Sequence, residues 1–115
     1  MLKGLEVVCR GSKSPFIAKD GSEIRELVKS ARMSLAEATV YKETKRHFHR
    51  TSEELYHILE GKGVMEIEGE KKDVSVGDTV VIVPREKHRI FTDNNKVRFL
   101  CFCSPPYSDA DTVLE

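Results

Sequence analysis

The chain has 115 residues and a mass of 13.1 kDa, the size of one domain, long enough to bury roughly two thirds of its unfolded surface without cross-links. Lys+Arg and Asp+Glu number 19 each, so the net charge is zero, and no basic excess points to nucleic acid or an anionic membrane. The longest apolar runs, residues 80–84 and 99–103, fall far short of the roughly 20 residues that span a bilayer, and Lys3 and Glu6 interrupt the N-terminal apolar stretch. Neither a membrane helix nor a signal peptide is expected, and the expected location is cytoplasmic. Three cysteines, an odd count, argue against a disulfide framework. With 33% charged residues, 11 Lys, 13 Glu and no Gln or Trp, the composition has a bias seen in heat-adapted proteins.

In chain order, residues 22–31 fit two patterns. One is a helix with Ser22 as N-cap and Ile24, Leu27, Val28 and Ala31 on one face; the other is an extended arm carrying Ile24, Leu27 and Val28. The arm is adopted here, with residues 1–31 belonging to the same domain. From Arg32 onward, short apolar alternation punctuated by turn residues predicts many short strands in a sandwich or barrel over residues 32–103. Residues 34–42 alternate loosely, 55–59 form a compact apolar strand, and 64–67 run into Glu68-Gly69-Glu70, a hairpin whose return strand reaches Val76. Gly77-Asp78 turns the chain, 79–83 is β-branched and too short for a helix, 88–91 follows, and Asp93-Asn94-Asn95 precedes a last strand over 97–103. Pro105 and Pro106 remove two consecutive donors, so the tail 104–115 leaves the sheet and lies on a surface, where Tyr107, Val113 and Leu114 have something to pack against.

The chemistry concentrates in three of the four histidines. In His47-Phe48-His49 both imidazoles share one face of a strand, because side chains alternate with period 2. After the polar turn Arg50-Thr51-Ser52, either Glu53 or Glu54 can bring a carboxylate beside them, and His88 opens a later strand. Three neutral imidazoles and one carboxylate suit a divalent transition metal with positions left open, and open positions are what catalysis needs. His57 lies three residues from Glu54 and faces the other way, as a packing or interface histidine. Tyr56 and Ile58 share the parity of Glu54 and line the same interior, where Tyr56 can offer a hydroxyl to a ligand. Cys101 and Cys103 share one face of the last strand, as small hydrophobes or as thiols in the cavity.

His47-Phe48-His49, Glu54 after four intervening residues and Gly61 after six more resemble the first motif of the cupins, and Gly77-Asp78 through Pro84 to His88 resembles the second. The resemblance covers residues 32–103 and implies an all-β double-stranded β-helix, a jelly-roll barrel, with a metal held by His47, His49, Glu54 and His88. It selects Glu54 over Glu53, because only Glu54 gives the six-residue interval to Gly61. Relatives that look like this chain are often labelled mannose-6-phosphate isomerase-like. Departures from the pattern are Tyr41 and Arg85 where glycine is usual, Val83 where proline is usual, and Thr92 where asparagine is usual, with Asn94 and Asn95 nearby. Arg85 resists the positive φ that glycine takes freely, which bears on the loop before His88.

What the resemblance implies for function is an enzyme acting on a small polar or sugar-like metabolite. Its Mn, Fe, Ni, Zn or Cu ion would chelate substrate oxygens for isomerisation or dioxygenation, with Glu54 and Tyr56 as candidate catalytic groups. The alternative is a non-catalytic module that binds or senses a small molecule; a third reading leaves the histidines without a ligand. A homodimer is expected in each case, because an open jelly roll of this size has sheet edges and apolar outer strands to cover.

Overall fold

The computed structural model describes residues 3–93 and 95–115; Asn94, in the expected 93–95 turn, lies outside the described residues. Among these, two short 3-10 turns and eleven strands form two antiparallel sheets, the many-stranded architecture expected from the strand pattern and the jelly-roll barrel implied by the cupin resemblance. One sheet carries β1 (Phe16–Ile17), β2 (Glu23–Lys29), β3 (Ser34–Val40), β10 (Val97–Ser104), β5 (Glu53–Glu60) and β8 (Thr79–Ile82), in that order. The other carries β11 (Thr112–Leu114), β4 (His47–His49), β9 (His88–Phe91), β6 (Lys62–Ile67) and β7 (Glu70–Ser75). No helix is long and apolar enough to cross a membrane among the described residues.

The alternation is clearest in β5, where Glu54, Tyr56 and Ile58 are buried and Glu53, Leu55 and His57 are exposed. Inside, Ala38, Val40, Ile58, Ile82, Ile90, Val97 and Phe99 make the core between the sheets. Each such side chain removed from water contributes about 1.5–3 kcal/mol. The β6–β7 hairpin turns through Glu68 and Gly69, both at positive φ (49° and 84°), the primed geometry that matches strand twist. Gly61 is required twice over: its φ is 80°, and a Cβ there would come 2.2 Å from the carbonyl oxygen of Lys96.

The segment preceding Arg32 is extended, as adopted above, but it is built into the barrel: β1 pairs with β2 and β2 with β3, with a bulge between Glu26 and Val28. The tail leaves the sheet at the prolines and then returns to the barrel. A turn over Asp109–Asp111 delivers β11, which pairs with β4 so that Thr112 faces His49 and Leu114 faces His47. Tyr107, Val113 and Leu114 of the tail are half-buried on this chain. Asp111 secures the return by accepting hydrogen bonds from the Thr51 and Ser52 backbone and the Thr51 hydroxyl.

The departures from the cupin pattern are accommodated locally. Tyr41 needs no glycine, because Glu68 and Arg85 are the non-glycine residues at positive φ among the described residues. Arg85 does take the glycine conformation, at φ 72°. It sits at the third position of a turn closed by Glu86 N–H to the Val83 carbonyl (3.3 Å), with Pro84 at the second. A proline there followed by positive φ is the type II pattern. Arg85 N–H also donates to the His49 carbonyl at 2.7 Å, which ties this turn to β4. Where asparagine is usual, the Thr92 hydroxyl donates to the Lys62 carbonyl at 2.7 Å.

Candidate metal centre

His47 and His49 point inward from β4 on either side of Phe48, and antiparallel pairing sets His88 of β9 directly opposite His47. The three rings lie 4.3 to 5.5 Å apart between centroids. Glu54 reaches them from the other sheet, its Oε1 3.2 Å from His49 Nε2 and 3.3 Å from His88 Nε2. The sequence-selected residues His47, His49, Glu54 and His88 are therefore brought together, all at 3% exposure or less.

The outer contacts fix which ring nitrogen faces inward. His47 Nδ1 lies 2.7 Å from the Lys45 carbonyl and His88 Nδ1 2.8 Å from the Glu86 carbonyl. Carbonyls only accept, so both Nδ1 atoms carry hydrogen. His49 Nδ1 lies 3.0 Å from Thr112 Oγ1, whose own hydrogen is given to the Ser108 carbonyl at 2.8 Å; this Nδ1 is a donor too. In the neutral rings all three Nε2 lone pairs are then free and converge, the arrangement that orients metal-ligating histidines.

The inward-facing atoms suit a bound ion. His49 Nε2, His88 Nε2 and Glu54 Oε1 are buried, yet none is in hydrogen-bonding alignment with a partner. Orphaned buried polar atoms cost about 1–3 kcal/mol each, and a shared divalent ion would satisfy all of them. Nitrogen donors with a carboxylate suit a first-row transition metal.

In the metal-free protein, burial raises the Glu54 carboxyl, but His49 and His88 outweigh it and hold the group well below the usual carboxylate range. Burial lowers His49, but Glu54 outweighs that and raises it. Burial and then His88 lower His47. Tyr56 is buried, its ring 4.3 Å from Phe99 and 6.2 Å from His88, and burial pushes its hydroxyl well above the ordinary tyrosine range. His57 is exposed and lies 2.8 Å from the Thr79 hydroxyl, on the outer face as its parity predicts.

Two further groups, Asp20 and Thr112, escaped the sequence reading. Asp20, in the loop between β1 and β2, holds Oδ2 3.7 Å from His47 Nε2 while its Oδ1 accepts from Ser22 N–H (3.0 Å) and Oγ–H (2.6 Å). Thr112 comes from the tail, and Tyr107 sets its ring edge-on to His49 at 5.9 Å. Cys101 and Cys103 prove to face inward, opposite Tyr56 and Glu54 in the register. Beside the imidazoles lies a cavity of about 40 Å³, bounded by Phe16, Ile24, Phe99, Asp20, Glu26 and Cys101 among others.

Solved structures share this architecture. Streptomyces Pac13, described as a nucleoside dehydratase, superposes with a TM-score of 0.83 at 14% identity over 97% of this chain and 92% of its own. A predicted oxalate decarboxylase from Thermotoga maritima gives 0.76 at 22% identity, over 86% of this chain and 98% of its own. In sequence, the chain is 47% identical over 108 residues to the uncharacterized protein MJ1618 of Methanocaldococcus jannaschii, covering 87% of this chain and 86% of that one. The cupin-domain family profile matches residues 36–103, the span that holds both histidine motifs, and the chain belongs to the cupin family.

Proposed function

We propose that this protein is a metal-dependent enzyme acting on a small oxygen-rich molecule. The observation that carries the proposal is the convergence of three imidazoles and Glu54 beside a cavity, with His49 Nε2, His88 Nε2 and Glu54 Oε1 buried and unsatisfied. His47, His49, His88 and Glu54 would hold a divalent transition metal, and the ion would supply Lewis-acid polarisation of substrate oxygens at its open positions. At about 40 Å³ the cavity has room for about three waters. Asp20 has the position of the proton-transfer group: one carboxylate oxygen is anchored by Ser22, and the other is free to face a ligand beside His47. Tyr56 then serves as a wall of the cavity and a neutral hydroxyl donor. The solved cupin folds named as a dehydratase and a predicted decarboxylase favour an enzyme over a passive binding module.

The test is elemental analysis of untagged protein beside Glu54→Ala and His88→Ala. The expected result is about one transition-metal ion at this centre in the parent and its loss in both variants; the metal found then sets a panel of hydroxy acids, keto acids and sugars, with Asp20→Asn as the variant that keeps metal and loses turnover. A parent that stays metal-free after reconstitution refutes the reading. A metal-loaded parent that binds panel members without converting them supports the binding module instead. We further propose that the protein is a homodimer joined through the outer face of the six-stranded sheet. There Val28, Leu35, Phe102, Leu55 and Val81 form one continuous cross-strand row, with Val28, Leu55 and Val81 at 40%, 36% and 57% exposure.

A further inference from the structure

The carboxylate of Glu54 has two sides, and only one faces the histidines. Its Oε2 lies 2.8 Å from Cys101 Sγ and 3.3 Å from Cys103 Sγ, and the two sulfurs are 3.9 Å apart. The pairing register explains the cluster: Cys103 sits directly opposite Glu54, and Cys101 opposite Tyr56, so period-2 alternation puts both thiols on the inner face. We propose that Glu54, Cys101 and Cys103 form a second metal subsite, distinct from the histidine centre and sharing Glu54 with it, for a thiophilic divalent ion of the zinc class.

The donor set and its spacing both argue for this. Two thiolates and a carboxylate select a borderline-to-soft ion, whereas the neighbouring imidazoles suit the first-row metals in general. With Zn–S near 2.3 Å, Zn–O near 2.0 Å and tetrahedral angles, two sulfurs on one ion stand about 3.8 Å apart and sulfur and oxygen about 3.5 Å. The observed 3.9 and 3.3 Å already match, and only the 2.8 Å contact has to open. Three protein donors leave the fourth position toward the cavity, which Cys101, Cys103 and Glu54 all line. Binding is balanced by release of two protons: each Cys–SH gives up its hydrogen and forms a sulfur–metal bond, leaving the ion neutralised by two thiolates. Glu54 then bridges the two subsites, Oε1 toward the imidazoles and Oε2 toward the sulfurs, as carboxylates do in paired-metal centres whose ions stand about 3.5–4 Å apart.

The experiment is anaerobic titration of the reduced, metal-free full chain with Co²⁺, read by absorption and by bound cobalt per chain. Thiolate ligation gives an intense near-ultraviolet sulfur-to-cobalt band that nitrogen and carboxylate ligands do not. The expected result is two equivalents in the parent with the band present, one equivalent without it in Cys101→Ser/Cys103→Ser, and one equivalent with it in His47→Ala. His47 is chosen because the imidazoles that Glu54 Oε1 approaches are those of His49 and His88. Cys9, exposed and remote, is the remaining thiol and acts as the internal control. If the double variant fails to fold, Cys101→Ser alone, at the less buried position, is expected to lose about half the band. One equivalent and no band in the parent overturns the subsite while leaving the histidine centre intact. One equivalent with the band, unchanged in His47→Ala, supports the subsite and removes the histidine centre. A band that disappears in His47→Ala makes the thiols ligands of the histidine ion and overturns a separate subsite, as does a band that survives in the double cysteine variant.

Discussion

Replacing Thr112 by Val removes one hydroxyl from the tail and little else, because the two side chains have the same shape. In the parent that hydroxyl accepts from His49 Nδ1–H at 3.0 Å and donates to the Ser108 carbonyl at 2.8 Å. Without it, the imidazole loses the contact that fixes its tautomer and its orientation toward Glu54. Loss of such an outer partner weakens metal binding by 10- to 100-fold, equivalent to about 1.4–2.7 kcal/mol. The metal-free fold also loses two hydrogen bonds at a residue of 3% exposure. The unsatisfied groups cost about 1–3 kcal/mol, or roughly 4 °C of melting temperature per kcal/mol for a domain of this size. Affinity is measured by competition with a chelator at a temperature where the variant is fully folded, so that the two effects separate. Thr112→Ser restores the hydroxyl and should recover most of the affinity. Thr112→Val within twofold of the parent, or Thr112→Ser no better than Thr112→Val, would refute the claim that the tail orients the metal ligand.

Arg85→Gly relieves a non-glycine residue at φ 72°. The relief of about 1–2 kcal/mol exceeds the extra backbone entropy of glycine, about 0.5–1 kcal/mol, so urea unfolding should show a net gain of about 0.5–1 kcal/mol; a loss would mean that the Arg85 side chain, not its backbone, holds the turn. Burial raises Asp111, but the hydrogen bonds from Thr51 and Ser52 outweigh it and hold the carboxyl below its ordinary value. A carboxyl lowered by folding contributes its stability above the unfolded value, near pH 4, and loses it as pH falls through the folded one. Asp111→Asn should therefore show a shallower loss of stability below about pH 4 in metal-free protein, and identical acid profiles would remove Asp111 from the account. Phe102→Asp puts a charge in the middle of the outer apolar row; light scattering at micromolar concentration should move from twice 13.1 kDa to a single chain, and a parent already at that mass ends the dimer proposal.

The parts of the site that were legible in the sequence are those whose placement follows from local rules. His47 and His49 face one way because of strand parity, and Glu54 is reached by a short turn, so their convergence needs only that residues 47–60 form two strands. The Glu68-Gly69 hairpin is equally local. The thiols were not legible because β10 is apolar on both faces: Val97 and Phe99 look inward while Leu100 and Phe102 look outward, and alternation between two apolar sets carries no phase. The register against β5 supplies the phase. Asp20 and Thr112 were missed for a different reason, since each lies in a segment near a terminus whose strand is only two or three residues long. The double proline reports correctly that the tail leaves its sheet, but it contains nothing about where the chain goes next.

That non-local closure also explains how the centre is divided. The histidines belong to the five-stranded sheet, and Glu54, Cys101 and Cys103 to the six-stranded one. The carboxylate is where the two donor groups meet: across the barrel it faces His49 and His88, and along its own sheet it faces the sulfurs. An ion bound to the imidazoles and Glu54 pins one sheet to the other, whereas an ion bound to Glu54 and the thiols joins two neighbouring strands of a single sheet. The tail extends the first arrangement, because β11 lies beside β4 and holds His49 from behind through Thr112. A segment that looks dispensable in the sequence thereby becomes part of the wall against which His49 is set.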